Sequence, residues 1–207
     1  MATKERAPRR DVAENRAALL AAARVELNRD PDVSLETIAA TAGLSRRSVY
    51  GHFASRDELL QELIAQGAER IASTVSGLDD PDSRIGIARL GASLWNEVDS
   101  VRPMARLAVS GPYVAIVAGA LRPMRAALVD TVAAGQRAGE IRTDLTSTQV
   151  ARLIEGAALG VLDESIRTPF SAGEGARLVM LAGLGAAGLD WRSAGEIISR
   201  ITQEASK

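Results

Sequence analysis

Apolar residues in this chain recur three and four positions apart rather than two, and alanine and leucine supply most of them. That spacing winds side chains onto one face of an α-helix, whereas a half-buried strand needs strict alternation. Stretches of β-branched residues are short, so the chain is expected to be all-α. Its 207 residues, 46% hydrophobic and 25% charged, have the balance of a soluble globular protein able to bury one large or two small cores. There is no cysteine and a single histidine, His52. Disulfides, thiolate metal sites and thiol nucleophiles are thereby excluded, a multi-histidine zinc site cannot be assembled, and any Ser-His-Asp triad would have to use His52. No cofactor or metal is expected.

The net charge is only -1, so local charge must carry any preference for a polyanion. Between Thr37 and Ser55 the only fully charged residues are Arg46 and Arg47, and Arg56 follows at once. The first ten residues hold Lys4, Arg6, Arg9 and Arg10 against Glu5, which suggests a flexible basic arm over 1–10, with Arg9 and Arg10 placed to enter a minor groove. Charges recur before any apolar run, so no signal peptide is indicated. The uncharged stretches 107–121 and 178–189 fall short of the roughly 18 residues a membrane span needs. The expected location is the cytoplasm, with no membrane partner.

Asp11, followed three residues later by Glu14, reads as the capping start of a first helix with Leu20, Ala23 and Leu27 on one face, ending near Asp30-Pro31. Ser34 then caps a short helix whose stripe is Leu35, Ile38, Ala39 and Ala42, and Gly43 stops it. Ser45 caps a third, from Arg46 to about Phe53, with Val49 and Phe53 inward and Arg46, Arg47, Ser48 and Tyr50 outward. Ser55 and Glu58 form a capping box ahead of a long fourth helix carrying Leu59, Leu60, Leu63, Ile64 and Ile71. A break at 76–82 separates two lobes: a first domain over 11–57, linked through helix 56–76, and a second lobe over 77–207. Helices are expected there near 83–99, 103–110, 112–121, 123–138, 146–166, 173–188 and 194–205. Pro103, Pro112 and Pro123 suit first turns, Gly139 suits a helix end, and Ser193 with Glu196 suggests another capping box.

Two short helices around a glycine turn, the second exposing arginine, serine and tyrosine, are the parts of a helix-turn-helix. The first crosses the DNA backbone; the second lays its N-terminal residues in the major groove. Arg46 or Arg47 can fork onto guanine or a phosphate, and Ser48 and Tyr50 can donate to phosphates. An isolated arginine pair is also what a solvated helix face looks like; its place in the motif is what favours contact.

The run from Ser34 to Leu60, with Ile38-Ala39, Ala42-Gly43-Leu44-Ser45, Tyr50-x-x-Phe53 and Arg56-x-x-Leu59-Leu60, resembles the signature of TetR/AcrR-family transcriptional regulators over roughly fifty residues. The resemblance implies phosphate contacts for Tyr50 and His52. It also implies one for Arg56, where the family most often has lysine. Ser34, Thr37 and Ser45 complete the candidate DNA-binding set. Two departures stand out: Val25 or Leu27 must serve where the first helix usually carries an aromatic residue, and Gly51 occupies a commonly polar site, at about 1 kcal/mol relative to alanine.

What the resemblance implies is a homodimeric repressor that binds a palindromic double-stranded DNA operator and is released by a small hydrophobic or amphipathic effector. The second lobe would hold the effector and pair its helices 146–166 and 173–188 with those of a second copy. Small residues at 156–160 and 183–188 suit such a seam, although flexible linkage would also use them. Trp95, Met104, Tyr113, Met124 and Phe170 are the candidate effector-binding residues, with plain core as the competing role; Trp191 suits an interface or a cap. The stretch 183–188 spells G-x-G-x-x-G, but a dinucleotide fold needs a further strand with an acidic residue about 20 positions on, which is not expected. Other readings remain open: a ligand-independent regulator or an activator of the same fold, and an all-α enzyme using a pair among Glu97, Asp99, Glu155, Asp163 and Glu164.

Overall fold

The structure is a computed structural model and describes residues 6–73 and 78–205. Its α-helices in chain order are α1 (Arg6–Arg29), α2 (Leu35–Thr41), α3 (Arg46–His52), α4 (Arg56–Ser73), α5 (Ser83–Val98), α6 (Arg102–Ala108), α7 (Val114–Ala120), α8 (Arg122–Ala138), α9 (Ser147–Arg167), α10 (Ala172–Ala186) and α11 (Trp191–Ala205). No strand occurs among the described residues, so the all-α expectation holds. Among them, too, no single helix is long and apolar enough to cross a membrane. The start of the expected basic arm, 1–5 with Lys4, and the residues 74–77 at the expected lobe boundary lie outside the described residues.

The chain forms two compact units. The first holds the described residues through Gly67 together with Pro103–Val117; the second holds Ala68–Arg102 and the described residues from Ala118 onward. Where the spacing placed everything past residue 77 in one lobe, the segment Pro103–Val117 belongs to the first unit, to which the Tyr113 hydroxyl is bonded through Asp57.

In the first unit, α1 already runs from Arg6, so Asp11 lies inside the helix rather than capping it, and Arg9 and Arg10 fall within its first five residues. Leu19, Leu20, Ala23 and Leu27 are buried on one face of α1, which packs on α2 as α2 does on α3; Leu35, Ile38, Ala39, Val49, Phe53, Leu59, Leu60 and Leu63 are buried as well. The Ser34 hydroxyl accepts from the Thr37 amide at 3.1 Å, capping α2. Gly43, at φ +70°, lets the chain turn left-handed after α2, and the amides of Gly43 and Leu44 close onto the carbonyls of Ala40 and Ala39. Ser45 caps α3 by accepting from Ser48 at 3.1 Å. At α4 the capping box differs by one residue: Ser55 accepts from the Glu58 amide, but the Glu58 carboxylate reaches back to the amide of Ala54 at 2.6 Å.

The second unit is a bundle in which α10 packs along α5 and α9, with α8 on α9 and α11 on α10. A contiguous core links Ala88 of α5, Met180 and Leu184 of α10 and Ala194, Ile197 and Ile198 of α11. Glycine sets the closest approach: a Cβ on Gly175 would lie 2.1 Å from the Trp95 ring, so only glycine lets α10 pass that indole. Three of the unit's helix starts carry side-chain caps. Asp82 caps α5, Thr146 and Gln149 cap α9 reciprocally, and Ser171 and Glu174 do the same for α10. The capping box expected at Ser193 and Glu196 is not formed. The Asp190 carboxylate instead accepts from the amides of Arg192 and Ser193 and from the Ser193 hydroxyl, and α11 starts at Trp191. The segment a dinucleotide fold would need as a strand, 178–182, is the interior of α10.

Two outcomes follow from this packing. In urea titration Gly175→Ala should destabilise the second unit by about 1 to 3 kcal/mol through overpacking against Trp95. Gly195→Ala on α11, where a Cβ meets nothing within 4 Å, should stabilise it by about 0.4 to 1 kcal/mol. The capping carboxylates also set an acid limit. The Arg84 side chain holds Asp82 below its ordinary 3.8, the Ser171 amide and hydroxyl hold Glu174 below its ordinary 4.5, and the Ser193 hydroxyl followed by the Arg192 and Ser193 amides holds Asp190 below 3.8. Because the folded values lie below the unfolded ones, this stabilisation is complete above the ordinary values and is lost as pH falls through the folded ones. A thermal midpoint measured by circular dichroism should therefore decline on acidification below pH 3.8 to 4.5, and the decline should be smaller for Asp190→Asn.

Candidate nucleic-acid interface

The outward face of the α2–turn–α3 pair is built by what lies beneath it. Val49 and Phe53 are buried at 0% and 1% exposure, which fixes the rotation of α3 and drives Arg46, Arg47 and Tyr50 outward. Ser34, Thr37 and Ser45 are exposed as well, while Ser48, His52 and Arg56 are half-buried. Ser34 and Ser45 spend their oxygens on capping, and the Ser34 and Thr37 hydroxyls lie 2.9 Å apart. Arg46 is 76% exposed at the side chain and Tyr50 is 45% exposed, so a flat ring and a cation stand side by side in solvent, the guanidinium 5.8 Å from the ring centroid.

Three side chains that motif reasoning did not select make bonds within this unit. Glu36, in the first turn of α2, accepts from the Tyr50 hydroxyl at 2.9 Å and lies 3.3 Å from Nε of Arg46. Arg16 of α1 donates through Nη1 to the carbonyl of His52 at 2.7 Å, pairs with Glu62 of α4 and lays its guanidinium 4.2 Å from the Phe53 ring centroid. Asp57 accepts from the Tyr113 hydroxyl at 2.8 Å; burial, followed by that carboxylate, pushes the Tyr113 phenol above its ordinary 10.0. The only sequence signal for them is an arginine one turn before a core stripe and carboxylates at helix starts, which solvated faces share.

Arg56 is placed differently from a simple phosphate anchor. Its Nε donates to the Val33 carbonyl at 2.8 Å and its Nη2 to the Pro31 carbonyl, stapling the α1–α2 loop to the start of α4.

The sequence pattern of the bacterial regulatory proteins of the tetR family matches residues 19–63, which span the buried half of α1, the two short helices and the first turns of α4. Residues 19–63 are thus similar to the tetR-family pattern. No curated protein matches the chain in sequence. Its fold as a whole is similar to that of several solved regulators. The MbdR regulator from Azoarcus sp. CIB superposes with a TM-score of 0.68 at 18% identity, covering 84% of this chain and 100% of that one. The fatty acid degradation regulator FadR from Bacillus halodurans gives 0.70 at 13%, covering 84% and 95%. SmeT, the repressor of the Stenotrophomonas maltophilia multidrug efflux pump SmeDEF, gives 0.63 at 20%, covering 83% and 89%. At such identities the likeness is one of fold.

Of the five candidate effector residues, Trp95, Met124 and Phe170 belong to the second unit and Met104 and Tyr113 to the first. Trp95 and Phe170 stack at 5.6 Å between centroids, and the Arg102 guanidinium lies 5.1 and 5.4 Å from the two rings while pairing with Asp99 and donating to the Phe170 carbonyl. Met124 is buried in the same unit; Met104 and Tyr113 are buried in the first unit. The buried indole N–H of Trp95 has no hydrogen-bond partner among the described residues. Of the carboxylates weighed for catalysis, Glu97, Asp99 and Glu155 are ion-paired to Arg70, Arg102 and Arg125. Trp191 is 71% exposed beneath the Arg192 guanidinium, and the cap beside it is Asp190.

The staple role of Arg56 is measurable without DNA. Arg56→Ala should destabilise the N-terminal unit by about 1 to 3 kcal/mol, since two carbonyls lose a charged donor, whereas Arg47→Ala should stay within about 0.5 kcal/mol. Urea unfolding followed by far-UV circular dichroism separates the two.

Proposed function

We propose that this protein is a homodimeric transcriptional repressor, acting in the cytoplasm, that binds a palindromic operator and releases it when a small hydrophobic or amphipathic effector occupies the second unit. The observation that carries the reading is the exposed face of α3, where Arg46, Arg47 and Tyr50 project from a helix locked by Val49, Phe53 and the Ser45 cap. Set in a major groove, such a face offers an arginine fork to guanine edges, worth roughly 1 to 3 kcal/mol of discrimination per good pair. Ser34, Thr37, Ser45, Ser48, Tyr50 and His52 border the same face and would donate to phosphates; Arg56 would reach one only with the donor its loop staple leaves over.

Pairing of two copies is supported by apolar side chains left in solvent on two consecutive helices: Leu153, Leu159 and Ile166 on α9 and Leu178 on α10, with Gly156, Gly160 and Gly185 among them, where a Cβ meets nothing within 4 Å. Gly183 serves a different purpose, packing inward against Ile154 and Ile87. The indole N–H of Trp95, without a partner among the described residues and flanked by Phe170 and Arg102, supports an effector with an acceptor group on an apolar body; Met124, Met104 and Tyr113 are the remaining candidates. Release is a population shift: two recognition helices fit successive grooves only near 34 to 36 Å apart, and an effector that favours another spacing weakens DNA binding by its differential affinity. The neighbours named repressor and regulator favour this reading by analogy.

Fluorescence anisotropy at two salt concentrations, with the duplex upstream of the protein's own gene, tests it. Wild type should prefer that duplex over random DNA by at least about a thousandfold, with steep salt dependence. The Tyr50→Ala/His52→Ala variant should lose the preference while keeping its thermal midpoint. Weak binding that ignores sequence, both here and after selection from a random duplex library, would overturn the reading.

A further inference from the structure

The two α3 side chains best placed to meet a duplex are already engaged by a carboxylate from the preceding helix. Glu36 Oε1 accepts from the Tyr50 hydroxyl at 2.9 Å and lies 3.3 Å from Nε of Arg46, whose guanidinium in turn lies near the Tyr50 ring. The three side chains form a closed triangle on the exposed face, at 40% exposure for Glu36 and 76% for Arg46. Glu36 is charged at neutral pH: backbone amides of its own turn, then the Tyr50 hydroxyl and Arg46, hold its carboxyl below the ordinary 4.5.

A fixed negative charge among groups that would touch a polyanion has two effects of opposite sign. It tethers Tyr50 and Arg46, removing rotamer freedom that binding would otherwise have to remove. It also repels phosphates, and any phosphate that takes the Tyr50 hydroxyl or the Arg46 fork must first draw them from the carboxylate. A duplex that presents only its backbone to this face meets that repulsion with no return. One that places a base amino group there, from cytosine or adenine, gives the carboxylate a donor.

We propose that Glu36 is a specificity-determining residue, which positions Tyr50 and Arg46 and selects against duplexes that offer this face phosphates alone. The inference rests on the DNA-reading function proposed above. The full-length protein and its Glu36→Gln and Glu36→Ala variants are titrated by anisotropy against a duplex selected from a random library and against a scrambled one, at low and high salt. Both variants remove the charge at this one partly exposed position, so either serves if the other misfolds.

The expected result is that loss of the charge tightens binding to the scrambled duplex by roughly three- to tenfold at low salt, with the gain shrinking as ions screen the site. The ratio of selected to scrambled affinity falls accordingly. A carboxylate that merely braced the fold would not produce a salt-dependent gain. If wild type selects a duplex and the variants keep its ratio and salt slope, this inference is overturned and the DNA-reading function stands. If wild type selects no duplex from the library, both are overturned.

Discussion

The exposed face of α3 depends on one buried-edge cation. Arg16 of α1 donates to the last carbonyl of α3 at His52, pairs with Glu62 of α4 and covers the Phe53 ring, so a single guanidinium joins three helices. The geometry suits arginine, whose planar fork serves a carbonyl and a carboxylate at once while its face covers an aromatic ring; the point charge of lysine would satisfy fewer of these contacts. A seven-residue helix has too few internal hydrogen bonds to hold itself. It exists because Ser45 caps one end, Arg16 holds the other and Val49 and Phe53 anchor the middle. Everything presented to solvent by Arg46, Arg47 and Tyr50 inherits its direction from those contacts.

The segment Pro103–Val117 shows why the first unit is not continuous in sequence. Its buried side chains and the Tyr113 hydroxyl, bound to Asp57, tie residues from the middle of the chain to the start of α4. Asp57 neighbours Arg56, which staples the loop leading into α2. Fold-supporting bonds and candidate DNA-facing groups therefore share the same few residues, and α4 runs on from them into the second unit. In that unit the dominant constraint is steric: Gly175 lies against the Trp95 ring, whose buried indole N–H has no partner among the described residues.

Helix existence was legible from apolar spacing, and α2, α3, α9 and α10 start within a residue or two of where the spacing put them. The misreadings concern which polar residue takes a helix start. Asp11 and Ser193 each have a carboxylate three residues on, but a capping box works only if the backbone leaves helical geometry there; α1 continues through Asp11, and Asp190 captures the amides that Ser193 would have served. Among the candidate site residues, exposure of Arg46, Arg47 and Tyr50 followed from the burial of Val49 and Phe53 on the other side. Glu36 and Arg16 were invisible because a charged residue on an amphipathic helix looks the same whether it faces water or the end of another helix.

The sequence by itself determined the helical class, the glycine turn at Gly43 and the identity of the residues that α3 turns outward, because periodicity, caps and positive φ are local properties of the chain. Tertiary structure decided the rest: that Arg56 binds backbone carbonyls, that Glu36 holds Tyr50 and Arg46, that Pro103–Val117 joins the N-terminal unit through the Tyr113 hydroxyl on Asp57, and that Trp95 and Phe170 stack. These are contacts between residues 10 to about 75 positions apart in the chain, and no local pattern encodes which helix a side chain will meet once the apolar faces have closed.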